Sequence, residues 1–221
     1  VDFLLHPGQT NVLPYLWNGF NTEIGYTNIL SGSVEEFHRC LSYSHRKRLN
    51  RLLRMQEGGL VEVVELDDPR ELDSLLHATM LKKRFRIDQS AVGRLITIDG
   101  CGTLWKAVKV QADGQALGCM LVAIDARAYY GLLAGVSRKG EGELANAQLL
   151  CYDYLVGQAL ESGRFFDFCG SSLPGVDQFN RRYGTRLLPR IRVLKSRSLL
   201  MSTLRIGRQL HLERRPAQVV E

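Results

Sequence analysis

Paired cysteines are the first thing the chain lacks. Its five (Cys40, Cys101, Cys119, Cys151, Cys169) are odd in number and scattered, with no C-x-x-C, which excludes a disulfide framework and suits reduced thiols in a cytoplasm. Its five histidines form neither H-x-H nor H-E-x-x-H, so no metal site is expected. No apolar run approaches the ~18 residues of a membrane span. The opening VDFLLHPGQT has no basic n-region or long apolar h-region and does not read as a secretory signal. Only six prolines and no low-complexity tract argue against disorder. Cys169-Gly170-Ser171 lacks the G-x-S-x-G elbow, and no histidine is placed to serve it, which removes a hydrolase. Acids are scarce near the end: between Arg181 and Arg215 about a dozen Lys and Arg face one carboxylate, Glu213. Such a stretch is either a solvated basic face or the mark of an anionic partner. A phosphorylated donor, a nucleotide sugar, RNA or an anionic membrane surface would each qualify.

What is present is enough for a core. With 221 residues, 45% hydrophobic, the chain can bury one sizeable core or two small packed units. Residues 12–20 and 23–30 read as two extended segments joined near Asn18-Gly19. Ser33 and Glu36 form a capping box, so a helix is expected from Val34 through Arg54, stopped by Gly58-Gly59. Residues 60–66 alternate as a strand. Helices are expected over 70–84 and 92–98. Strands over 103–110, 116–124 and 129–136 form a meander, with Asp113-Gly114 as the hairpin dipeptide. A long helix over 144–162, closed by Gly163, follows it. A short strand at 165–169, a short helix at 176–183 and a basic strand at 185–195 complete the order. Residues 196–215 mix apolar and basic side chains at helical spacing, suited to packing back on the chain or to lying on an anionic membrane surface.

The stretch 164–189 carries the most chemistry: an apolar strand with a single carboxylate, Asp167, feeds a polar Gly-Ser loop and a short aromatic helix. Ligands sit at the carboxyl ends of strands in this way. Its order, Phe166-Asp167-Phe168-Cys169-Gly170-Ser171 followed by Gly175, Phe179 and Tyr183-Gly184, resembles the signature of the Fem-type branch of the GNAT N-acyltransferases. That branch includes acetyltransferase-like proteins of polysaccharide gene clusters and the peptidoglycan aminoacyltransferases. The helix from Leu149 to Gly163 and the basic helix around Arg46 and Arg48 also resemble that branch. The resemblance runs over residues 26–189, and its specific part is 144–184. It implies an α+β GNAT fold, a central mixed and mostly antiparallel sheet flanked by helices. The expected organisation is a partial GNAT-like unit over 1–59, a GNAT-like domain over 60–195 and a basic amphipathic segment over 196–221.

The resemblance also implies roles. Acetyl-CoA or another acyl-CoA would be the donor, bound by the loop Ser137, Arg138, Lys139, Gly140 and Gly142, although Ser137 stands where Gln or Arg is usual. Backbone N–H groups and a helix N-terminus suit a pyrophosphate there. Acyl transfer to an amine needs proximity, a base and donors for the oxyanion. Asp167 is the candidate base, satisfied alternatively by the hydroxyls of Ser171 and Ser172. Tyr183 is the candidate general acid, or a packing residue. Arg46, Arg48, Ser171, Asn180 and Arg181 are candidate substrate contacts. Asn180 stands where the peptidoglycan enzymes have Lys. The expected function is acyl transfer to an amine of a sugar or cell-envelope precursor, anionic or sugar-linked. The alternatives are aminoacyl transfer from aminoacyl-tRNA and a catalytically silent module binding an anionic ligand. An acyl carrier protein is a further possible partner. The expected place is the cytoplasm, with contact at the inner membrane face.

Overall fold

A computed structural model describes residues 1–72, 75, 76, 79, 104–137, 142–170 and 174–195. By contacts the chain divides into two compact units. One holds Val1–Tyr26 with, among the described residues, 189–195; the other is Thr27–Leu188. The stretch 1–59, expected as one unit, is therefore divided at Tyr26. Residues 196–221 lie outside the described residues.

In the smaller unit, β1 (Asp2–Leu4) pairs antiparallel with β8 (Arg186–Leu194), Asp2 opposite Leu194 and Leu4 opposite Arg192. Arg192 bonds Asp2 and lies 3.6 Å from Glu23 on β2 (Asn21–Leu30). Residues 12–20, expected to be extended, instead contain a one-turn helix, α1 (Leu13–Trp17). Pro14 in the first turn presets a helical φ. Tyr15 then packs edge-on against Phe3 and Phe20, at 5.6 and 6.0 Å.

In the larger unit the strand order is β2-β7-β6-β5-β4-β3, from β3 (Glu62–Leu66), β4 (Leu104–Ala112), β5 (Gln115–Ile124), β6 (Ala128–Val136) and β7 (Phe165–Asp167). Every pairing is antiparallel except β6 with β7. The parallel pair needs a crossover, and α4 (Gln148–Glu161) supplies it. The apolar run of β5 is explained by burial on both faces. Met120 and Val122 join the core beneath α4, with Leu150, Leu155 and Phe166. Cys119 and Leu121 face Leu66, Leu72, Leu75 and Leu76 on the other side.

The single helix expected from Val34 to Arg54 is two: α2 (Val34–Cys40) and α3 (Tyr43–Glu57). The break has a local cause. Leu41 turns extended and buries its side chain, and Ser42 restarts the helix by accepting from the His45 backbone N–H at 3.4 Å. The helix expected over 70–84 opens as a 3-10 turn, Pro69–Leu72, with Leu75, Leu76 and Thr79 helical; its remainder and the helix expected over 92–98 lie outside the described residues. The last helix among the described residues is α5 (Pro174–Arg181). Among the described residues no helix is long and apolar enough to cross a membrane.

Candidate functional site

Two places in the larger unit gather polar chemistry. The first is a fork in the sheet. β7 pairs with β6 only from Ala128↔Phe165 to Tyr130↔Asp167. There β6 takes an extra residue: Leu133 opposes Leu121 and Gly131 opposes Val122, leaving Leu132 as the bulge. A bulge bends its strand and re-aims it. β6 then runs on to Val136, and no described strand is registered against its far edge over 131–136. An open edge offers backbone N–H and C=O groups to an extended chain.

Asp167 ends β7 at this fork, wholly buried. One carboxylate oxygen accepts from the Thr27 hydroxyl and from the Cys169 backbone N–H, the latter at 2.7 Å. Cys169 reaches that position with φ of +58°, a left-handed conformation unusual for a side-chain-bearing residue. Beside it, Asn28 donates to Asp177 at 3.1 Å and lies 3.0 Å from the Thr185 hydroxyl, and Asp177 accepts from Arg181 at 2.8 Å. Every charged or amide group in this interlocked set has a partner.

The second place is a cavity of about 220 Å³ at the far end of β6. His45 and Arg48 line it from α3, Asn146 and Gln148 from the entrance to α4, and Arg182 from the turn after α5. Three features assemble it. Gly118 on β5 lets α4 start almost in contact with the sheet: a Cβ there would lie 3.0 Å from the Gln148 backbone nitrogen. Thr79 holds Val136, accepting from its N–H at 2.7 Å and donating to its carbonyl at 3.2 Å. Ser42 N–H donates to the Arg182 carbonyl at 2.9 Å, tying α3 to the turn after α5. The helix α4 begins with no side-chain cap, so its positive end contributes to the cavity.

His45 is 3% exposed, and neither ring nitrogen finds a hydrogen-bond partner among the described residues. Burial, reinforced by Arg182 and Arg48, lowers its pKa to about 4, so the resting ring is neutral. Between fork and cavity lies an aromatic cluster. Tyr183 sits at its hub, 4.9 Å from Tyr152, 5.2 Å from His45 and 5.3 Å from both Phe168 and Phe179. Its buried phenol has no partner among the described residues, and burial holds its pKa well above the usual range.

The sequence-selected residues are thus distributed. Asp167 stands at the fork and Tyr183 at the aromatic hub. Arg48 lines the cavity, whereas Arg46 is exposed and donates to the Arg39 carbonyl at 3.4 Å. Ser137 follows β6, its N–H donating to the Leu117 carbonyl at 2.8 Å. Gly142 opens the 3-10 turn that leads into α4. Within that turn Glu143, which would repel an anion, is paired with Arg51. Asn180 is buried with its amide nitrogen unpartnered among the described residues, and Arg181 is paired to Asp177. Arg138, Lys139, Gly140 and Ser171 lie outside the described residues. Sequence reasoning did not select His45, Arg182 as a cavity residue, or Thr27. The one available signal was His45 itself, a histidine four positions before Leu49 on the apolar face of a basic helix.

Crossover helix and mixed, mostly antiparallel sheet make the α+β architecture that the resemblance implied. Among solved structures the chain is similar to FemX, at 13% identity and a TM-score of 0.61 over 81% of this chain and 68% of that one. It is also similar to the C-terminal domain (DUF2156) of a putative lysylphosphatidylglycerol synthetase from Agrobacterium fabrum, at 10% identity and a TM-score of 0.58 over 90% and 69%. L-PGS from Bacillus licheniformis gives 13% identity and a TM-score of 0.55 over 89% and 69%. No protein-family model and no curated protein matches the chain.

Proposed function

We propose that the chain is an N-acyltransferase, moving an acetyl or other acyl group from an acyl thioester to an amine of a sugar or cell-envelope precursor. One observation carries the reading: the edge of β6 over 131–135, against which no described strand is registered, leads from a buried carboxylate to a cationic cavity. From Tyr130, opposite Asp167, to Val136 at the cavity is six residues, about 20 Å of strand. An extended thioester donor such as acyl-CoA lies along that edge, its phosphates in the cavity and its acyl group at the fork. Arg48, Arg182 and the N-terminus of α4 receive the negative charge.

At the fork the neutral amine attacks the thioester carbonyl carbon and its N–H proton passes to Asp167. The C–S bond then breaks, the proton held by Asp167 passes through water to the departing thiolate, and the products are amide and free thiol. Thr27 and the Cys169 N–H orient the carboxylate. Tyr183 keeps the wall of the site rigid as the aromatic hub.

A second reading is aminoacyl transfer, in which the donor is an aminoacyl ester. The likeness to FemX and to a lysylphosphatidylglycerol synthetase domain favours it. Thermal shift with acetyl-CoA, a longer acyl-CoA, free CoA and a UDP-sugar separates the readings. A donor at ~100 times its Kd adds about 2.7 kcal/mol of stability. A CoA-dependent shift, followed by amine-dependent thiol release that falls by roughly 10²-fold in Asp167→Asn, is the expected result. No shift with any CoA species would overturn the thioester reading.

A further inference from the structure

Among the buried polar groups of the larger unit, His45 has the least conventional setting. It is enclosed, neutral and unpartnered among the described residues, yet it lines a cavity that also holds two guanidinium groups. A histidine kept only for packing has no need of that company, because Arg48 and Arg182 both oppose its protonation. An occupant carrying two negative charges reverses this field. It neutralises the arginines and itself favours a proton on the nearest imidazole nitrogen.

We propose that the cavity binds a tetrahedral dianion of the phosphate class and that His45 takes up a proton from solvent as it does so. The ligand thereby creates the third cation of its own cage. No bond other than the N–H forms, and the proton comes from water or buffer. The inference rests on the reading of this cavity as the donor's anion site, and it adds a specificity element. A ligand offering two negative charges gains more from the added positive charge than a singly charged carboxylate does. This selects a terminal phosphate over singly charged acids of similar size.

The charged and titratable groups around His45 are few. Arg48 comes from α3 itself, and Arg182 and Tyr183 from the turn after α5. Asp153 comes from α4, lining with His45 and Tyr183 a second, small hollow. Asp153 is held by His38 at 2.7 Å, and burial raises its pKa. It is thus the other group from which a proton change could originate.

Sulfate is the decisive probe, because it exchanges no proton near neutrality and any uptake belongs to the protein. Titration calorimetry of the full chain with sulfate, in buffers of different ionisation enthalpy, should show about one proton taken up per sulfate at pH 6.5. Affinity should rise about tenfold for each pH unit between 7.5 and 5.5. His45→Gln should bind sulfate without the uptake and without the slope, and Asp153→Asn should keep both. Imidazole NMR of the wild-type chain reads the same event with no variant: the His45 signals should move from neutral to protonated on adding sulfate at pH 6.5. Sulfate binding with no proton uptake, or a slope that survives His45→Gln and vanishes in Asp153→Asn, overturns the inference while leaving the anion site standing. Absence of any sulfate or pyrophosphate binding overturns both.

Discussion

The fork and the cavity are built from similar residues and treat them in opposite ways. At the fork, Asp167 is buried with a hydroxyl and a backbone N–H donating to it, and the neighbouring Asn28, Asp177 and Thr185 hold one another. At the cavity His45 buries both ring nitrogens, and in the aromatic wall beside it Tyr183 buries its hydroxyl, with no partner among the described residues. An unsatisfied buried polar atom costs about 1–3 kcal/mol. The fork spends its polar groups on one another, whereas the cavity side leaves His45 and Tyr183 without such partners.

The comparison can be broken at four points. The largest effect is expected from Gly184→Ala. Gly184 has φ of +74°, and a Cβ there would stand 2.5 Å from Cys40 Cβ and 2.9 Å from the Cys40 carbonyl. Strain and overpacking together should cost roughly 2–5 kcal/mol in urea unfolding and weaken anion binding by displacing Arg182. A fold of unchanged stability would show that this turn does not frame the cavity.

Thr27→Val should come next, at about 2 kcal/mol, because it strips a donor from a buried carboxylate while preserving shape. If the urea midpoint does not move, the fork is less interlocked than its geometry implies. Tyr183→Phe provides the contrast. The hydroxyl it removes has no partner, so stability should hold or rise by up to ~1 kcal/mol. A loss above that would reveal a partner for the phenol and weaken the distinction between the two places.

The last effect is the pH dependence that His45 contributes. Its folded pKa, about 4, lies below the ordinary 6.5. Between those values the unfolded chain binds a proton that the folded chain does not. Stability therefore rises with pH across this window, and the contribution is complete above pH 6.5 and lost as pH falls through about 4. Urea midpoints at pH 4.5 and 6.5 should converge in His45→Phe, and a difference equal to wild type would remove His45 as the source.

Much of this was legible in the chain. Three apolar segments of strand length and a hairpin dipeptide located the three-strand meander. The burial of β5 on both faces is already visible in ALGCMLVAI, a run too apolar for a half-exposed strand. The segment 12–20 misled because its apolar residues suit a strand as well as a single helical turn, and Phe3, distant in sequence, decided between them. The helix break at Leu41 was hidden for a related reason. Ser42 is compatible with a helix interior and becomes a cap only because Leu41 is drawn into the core.

By itself the sequence determined most of the strands and helices of the larger unit, the position of the lone carboxylate at a strand end, and the basic character of α3. These follow from periods of two and of 3.6 residues and from local capping, which need no distant partner. Only the tertiary structure decided that His45, Arg48 and Arg182 meet at the start of α4, and that β7 pairs with β6 only as far as Asp167, with no described strand registered beyond it. Electrostatics and hydrogen bonding act over a few ångströms, whereas His45 and Arg182 are separated by most of the larger unit's chain. The charge on a side chain is written in its residue type; whether that charge is spent in a salt bridge or left facing a cavity is settled by what the fold brings beside it.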